Sequence, residues 1–380
     1  MQRLKQQLTD CLTQNILPYW LRLQDHEHGG FYGQVTGHEV LMPEADRGGI
    51  LYARILWAFS AAYRVLHRPE YLDAATRARD YILQHFVDRE YGGTYWSVDY
   101  LGRPKDTKKQ FYALGFMIYG FSEYARATGD EESLRMAIHL FRCIEQHSRD
   151  RVYNGYIEAT TRDWQPIADM RLSDKDENMQ KSQNTHLHIL EPYTNLYRIW
   201  SDPELKEVIH NLIQVFDTII RNPQTNHMDL FFDEQWHSPR TGESYGHDIE
   251  ASWLLDEAAH IIGENHDELV RNVARAATEG LNADGSMRHE DKDPDIHWWV
   301  MAETVVGYAN MYEHFGDTQA REHAYAAWEY IRTHLIDYTH GEWYWSCYPD
   351  GTPNLTDDKA GFWKCPYHNS RMCLEIIQRF

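Results

Sequence analysis

One short phrase is written six times along this chain, and the fold has to account for it. It reads GGFYGQV at 29–35, GGTYWSVDYLGRP at 92–104, NGYIEATTRDWQP at 154–166, MDLFFDEQWHSP at 228–239, DGSMRHEDKDP at 284–294 and GEWYWSCYPDGTP at 341–353. Copies recurring at roughly 56 to 75 residues imply an array or a closed toroid built from one repeated unit. Alternating aromatics between Gly or Pro ends give each copy the character of a short hairpin or extended loop.

Between the copies the pattern is helical throughout. After each phrase comes an apolar-rich helix, expected at about 47–66, 107–128, 180–200, 245–262, 296–315 and 361–379. Before each phrase comes a two-faced one, expected at about 3–18, 70–87, 130–147, 203–221, 265–281 and 317–335. Stop and start signals join them: TGDEES at 128–133, SDPELK at 201–206 and FGDTQA at 315–320. Twelve helices in six hairpins, apolar alternating with amphipathic, describe an inner ring wrapped by an outer one. The expectation is an all-α, single-domain (α/α)6 barrel over residues 1–380, with hairpin-like loops at one face. No linker or low-complexity run argues for a second domain.

Composition narrows the partners. Against 37 Lys and Arg stand 58 Asp and Glu, a net charge of −21, which disfavours nucleic acid and anionic membrane and favours a neutral ligand. No run approaches the roughly 20 apolar residues of a membrane span, and Met1 leads into a polar amphipathic segment. The five cysteines are scattered, with no CxxC, as expected of reduced thiols in a cytoplasm. The 13 Trp and 25 Tyr exceed what a core needs, and flat rings with polar edges suit sugars.

The unusual polar residues cluster near the starts of the inner helices. They are Arg54 in GGILYARILW, Tyr112 in KKQFYALG, Asn184, His186, His188 and Glu191 in NTHLHILE, and His247, Glu250 and Trp253 in YGHDIEASW. Trp298, Trp299 and Glu303 in HWWVMAE, and Trp363 and His368 in FWKCPYHNSR, complete the set. If the inner helices run parallel, all converge on one mouth of the barrel. His247 and Glu250 are three apart on a helix, so the carboxylate is expected to meet the imidazole and raise its basicity. His186 and His188, two apart, point to different sides, one to the cavity and one to the structure. Arg54 reads equally as a structural arginine or an oxyanion clamp. Lys108, Lys109 and Lys364 read as solvated charges. No HxxxH spacing, phosphate loop or Ser-His-Asp signature appears, so neither metal nor cofactor is expected.

Together GHDIEASWLLDEAA, NTHLHILE, GGILYARILW and WKCPYHNSRMCLE resemble the N-acylglucosamine 2-epimerase superfamily over nearly the whole chain, and most of all its cellobiose branch. The resemblance implies an (α/α)6 barrel with no required metal or nucleotide. It implies His247 and His368 as the acid/base pair, His188 assisting at the ring oxygen or the intermediate, and Arg54 and Tyr112 holding the reacting end. Asn184, Glu250, Trp253, Trp299, Glu303 and Trp363 would complete the substrate site. Val300 and Met301 depart from it, standing where a more polar or Pro-containing stretch is expected.

The chemistry agrees. Inverting C2 of an aldose means opening the ring, removing the proton beside the aldehyde and returning one to the other face. Two opposed histidines meet that need. The implied partner is a β-1,4-linked disaccharide such as cellobiose or lactose, acted on by a monomer or weak homodimer. Rivals on the same barrel are an aldose–ketose isomerase and an N-acylglucosamine 2-epimerase. A glycoside hydrolase using Asp248, Glu250 or Glu303 and a non-catalytic sugar binder stand further off.

Overall fold

The computed structural model describes residues 1–174, 176–239 and 242–380. The inner ring consists of α3 (Gly49–Leu66), α5 (Phe111–Thr128), α7 (Gln183–Tyr197), α9 (Tyr245–Ile262), α11 (Trp298–Phe315) and α13 (His368–Arg379). Each touches the next, and α13 returns to α3, so the ring is closed. Outside it α1 (Gln2–Cys11) packs on α13, and α4 (Pro69–Tyr81), α6 (Glu131–His147), α8 (Pro203–Val215), α10 (Asp267–Ala276) and α12 (Thr318–Tyr330) pack on α3, α5, α7, α9 and α11 in turn. The short α2 (Leu17–Leu21) extends α1. This is the (α/α)6 barrel expected from the repeat.

Position in the ring explains composition. An inner helix is covered on every side, and Gly49 through Ala62 are all buried; an outer helix buries one stripe and is charged on the other. The start signals act as caps: the Asp130, Asp202 and Asp317 carboxylates accept from backbone N–H groups in the first turns of α6, α8 and α12. Gly129, Gly263 and Gly316 end α5, α9 and α11 in the left-handed region.

The six phrases prove to be tight returns stitched to their neighbours. After each outer helix an Asp or Asn donates its backbone N–H to a carbonyl a few residues on: Asp25 to Gly30, Asp88 to Gly93, Asp150 to Gly155, Asn222 to His227, Asn282 to Ser286 and Asp337 to Glu342. Two-residue strands then join adjacent hairpins. Arg47–Gly48 pairs with Ser97–Val98, Lys109–Gln110 with Ala159–Thr160, Lys181–Ser182 with Phe231–Phe232, and Ile296–His297 with Ser346–Cys347. Single bridges Ser244–Glu290 and Val35–Ala360 supply the other two junctions, the last closing the ring.

Two expectations need correction, and three outer helices end in a turn the sequence did not announce. The segment 361–367 is not helical, because Pro366 lacks an N–H and biases Cys365 away from helical geometry; α13 begins at His368. Outer helices α4, α8 and α12 finish in a wider turn, with Val87, Arg221 and Ile336 donating to carbonyls five residues back. Lys109 and Lys364 are fully buried, on Asp88 at 2.8 Å and Glu342 at 2.7 Å. Lys109 belongs to a set: Arg47, Lys181 and Lys359 likewise reach Asp25, Asp150 and Asp337, tying four of the returns to the segments before inner helices.

Candidate active site

Because the inner helices run parallel, their N-terminal ends surround one cavity of about 500 Å³, within the range that holds small ligands. Arg54, Tyr112, Asn184, His188, His247, Glu250, Trp299, Trp363 and His368 all line it. Trp253 and Glu303 do not; they form the layer beneath, where the Trp253 indole donates to Glu303 Oε2 at 2.9 Å. Trp363 reaches the cavity from the non-helical loop before α13. His186 faces away, accepting the Tyr156 N–H at 2.9 Å, and burial pushes it down to about 4.

The histidines have different partners. His368 Nδ1 lies 2.6 Å from Glu303 Oε1. Both Glu303 oxygens already accept from N–H groups of Arg371 and Trp253, so Nδ1 carries the proton and Nε2 is left basic. His188 Nδ1 sits 2.9 Å from Glu191 with the same consequence. His247 does not meet Glu250: its Nδ1 lies 2.7 Å from the Ser244 hydroxyl. Three residues apart was geometrically sufficient, but Glu250 turns to Arg371 at 2.7 Å, where a full charge outcompetes a neutral imidazole. The expected rise in His247 basicity is therefore reversed. Burial, then the neighbouring His289, His188 and His368, holds it well below the ordinary histidine value. Burial and the charges of Arg54 and Arg371 do the same to His368.

Arg54 donates to the Tyr112 hydroxyl at 2.8 Å and lies over the Phe116 and Tyr367 rings at 4.2 and 4.6 Å. Among the described residues no carboxylate pairs with it, which leaves a fixed positive charge beside the cavity. The His247 and His368 rings lie 4.9 and 5.6 Å from the Trp299 indole. They come from different helices against one aromatic wall.

The model of the family described as N-acylglucosamine 2-epimerase (GlcNAc 2-epimerase) matches residues 29–371. The chain belongs to the N-acylglucosamine 2-epimerase family. A cellobiose 2-epimerase of Bacteroides fragilis is 56% identical over 98% of both chains. The solved cellobiose 2-epimerase of Bacillus thermoamylovorans superposes with a TM-score of 0.97 at 40% identity, over 100% of both chains. A D-mannose isomerase structure shares the fold, with a TM-score of 0.87 over 99% of this chain and 98% of that one, but only 20% identity.

For this member of the N-acylglucosamine 2-epimerase family the structure adds residues that sequence reasoning passed over. The chief one is Arg371, fully buried, which joins Glu191, Glu250 and Glu303. Trp345, Phe362, His289 and the segment Leu172–Asp174 also line the cavity. Val300 and Met301 are fully buried, away from the ligand space. Gly246 is a close-approach glycine: a Cβ there would meet Trp299 Cη2 at 2.8 Å and Val300 at 2.8 Å. Gly246→Ala is therefore expected to displace the indole that both histidines touch, lowering kcat by about tenfold or more. The tryptophan emission should shift, and unchanged kcat with unchanged emission would count against this packing role.

Proposed function

We propose that the enzyme is a cellobiose 2-epimerase, inverting C2 of the reducing-end glucose of β-1,4-linked disaccharides such as cellobiose or lactose to give mannose at that end. The observation that carries the mechanism is the placement of two histidines, on α9 and α13, against one indole of the cavity wall. Ring opening moves the O1 proton to O5, with His188 as the group that assists. One of His247 and His368 then removes the C2 proton. Negative charge develops on the enediolate oxygen, where Arg54, the Tyr112 hydroxyl and the helix N-termini provide fixed positive potential. The other histidine, which takes up a proton from solvent while the enediolate is held, delivers it to the opposite face of C2; the first histidine releases its proton to solvent and the ring recloses. Asn184, Trp299 and Trp363 hold the sugar; a second ring stacked toward the mouth supplies binding energy remote from the reacting carbon.

The carboxylates weigh against hydrolysis, which needs two of them flanking a glycosidic bond. Asp248 is committed to His227 at 2.7 Å and to the Met228 N–H at 2.9 Å. Glu250 and Glu303 share one Arg371 nitrogen at 2.7 and 2.6 Å, and Glu303 lies beneath the cavity lining. We further propose a metal-free reaction in a reducing cytoplasm, which suits five cysteines that are all buried and unpaired, and a monomer or weak homodimer.

Product formed from cellobiose in D2O is expected to carry deuterium at C2, with the rate undiminished by EDTA. Loss of activity on chelation, restored by a divalent ion, would sink the metal-free step. Set side by side at equal concentration, cellobiose is expected to outrun N-acetylglucosamine and free mannose. Preferred turnover of N-acetylglucosamine, or mainly fructose from mannose, would assign the chain to another activity of this fold.

A further inference from the structure

We propose that His289, Asp293 and His297 form a binding site for a zinc-like divalent transition ion in the wall of the sugar cavity, and that its occupation inhibits the enzyme. The three residues come from the fifth repeat phrase and the strand that leads into α11. His297 Nε2 lies 2.8 Å and His289 Nδ1 3.8 Å from the same oxygen, Asp293 Oδ2, and one donor atom from each lies within 4.8 Å of the others. Around a tetrahedral ion with bonds of about 2.0–2.2 Å, donor atoms sit about 3.4 Å apart. The observed spacings bracket that value, so small side-chain rotations complete the geometry. Two imidazoles and one carboxylate with an open fourth position suit zinc, whereas magnesium and calcium favour all-oxygen sets.

Two surroundings strengthen the assignment. His289 Nε2 has no hydrogen-bond partner among the described residues, with Glu290 Oε1 3.4 Å away, and a carboxylate behind a histidine ligand raises its donor strength. The cluster also opens onto a second space of about 460 Å³, which shares Asn184, His247, His289, Trp299 and Trp345 with the first, so an ion has a route in. The comparable clusters are already occupied by the protein itself. Arg371 sits on Glu250 and Glu303, and Lys359 on Glu39 and Asp337. In the third, the carboxylate of Asp256 is taken by Asn310, and His260 Nδ1 faces a backbone carbonyl at 2.8 Å. Among the described residues no Lys or Arg pairs with Asp293.

Inhibition follows from the neighbours. The His289 ring lies 5.8 Å from that of His247 and 5.1 Å from Trp299. A dication there opposes protonation of His247 and narrows the sugar space. This half rests on the catalytic reading above; ion binding does not.

Zinc titrated by calorimetry into EDTA-treated, desalted enzyme is expected to bind one ion per chain, and cobalt in its place to show the intense visible bands of a tetrahedral site. His297→Gln and Asp293→Asn, checked for fold by circular dichroism, should each weaken zinc at least ~10-fold and relieve zinc inhibition, while His247→Asn keeps the ion. Absence of binding overturns the site, as does loss of binding in His247→Asn or His314→Gln with His297→Gln unaffected. Binding without inhibition of cellobiose turnover overturns the inhibitory half. A protein with no epimerase activity still leaves the calorimetric result to decide the site.

Discussion

Replacing either His247 or His368 by asparagine is expected to cut turnover by about 10²–10⁴-fold, the usual cost of a lost general acid or base, while leaving the barrel folded. His247 is half-buried and borders the cavity, where its Nδ1 meets the Ser244 hydroxyl and no carboxylate among the described residues. Removing His368 leaves Glu303 with Arg371 and Trp253, so no carboxylate is orphaned. Steady-state kinetics on cellobiose, with circular dichroism as the control, makes the measurement. Near-normal turnover in either folded variant would show that its histidine transfers no proton. The two variants should also differ: with one base gone, exchange of the C2 proton can persist from one epimer while net inversion stops.

The acid limb of kcat/KM tests the same residues. A base must be neutral to take the C2 proton, so activity falls as pH drops through its pKa. Burial holds both histidines well below the ordinary value, and the limb is therefore expected below the unperturbed ~6.5, with cellobiose turnover nearly flat from there to neutrality. An acid limb at or above that value would mean that the cavity does not keep these rings neutral.

How far the sequence foretold this site depended on whether a residue's role was local. The inner helices were legible because each is apolar on all sides, and the ring because six copies of one return must close. Arg54 stood out as an arginine inside an apolar helix. Arg371, three residues beyond His368 in HNSRMCLE, meets the same criterion and could have been selected on it. The partner of Glu250 was not legible: i, i+3 spacing admits His247, and only the closure of the ring, with α13 packed on α11 and α3, brings Arg371 to 2.7 Å from Glu250. The wider turns that end α4, α8 and α12 were hidden because they preserve the apolar periodicity. The His289–Asp293–His297 cluster was hidden because two ligands lie in an irregular loop, where spacing along the chain says little about distance.

Arg371→Met is expected to destabilise the fold by about 3–5 kcal/mol, the scale for stripping the partner from a buried ion cluster. The guanidinium is fully buried, stacked over the Trp253 and Tyr367 rings at 4.7 and 4.3 Å, and holds carboxylates from α7, α9 and α11 against α13. Methionine fills similar space, so the loss reports charge rather than a cavity. Without the guanidinium, Glu191, Glu250 and Glu303 must stay ionised beside one another or take up protons. Burial and the charge of Glu303 already push Glu250 well above the usual carboxylate range, so it would be first to protonate. Arg371→Lys keeps the charge but cannot serve three carboxylates through a planar fork, and should fall between wild type and Arg371→Met. Denaturant midpoints give the stability order. Because Glu303 accepts the His368 Nδ1–H and so fixes that ring, kcat should fall in the folded fraction of both variants with little change in KM. An Arg371→Met protein within about 1 kcal/mol of wild type would mean that the three carboxyls are neutral in the native state, and that His368 is oriented by packing alone.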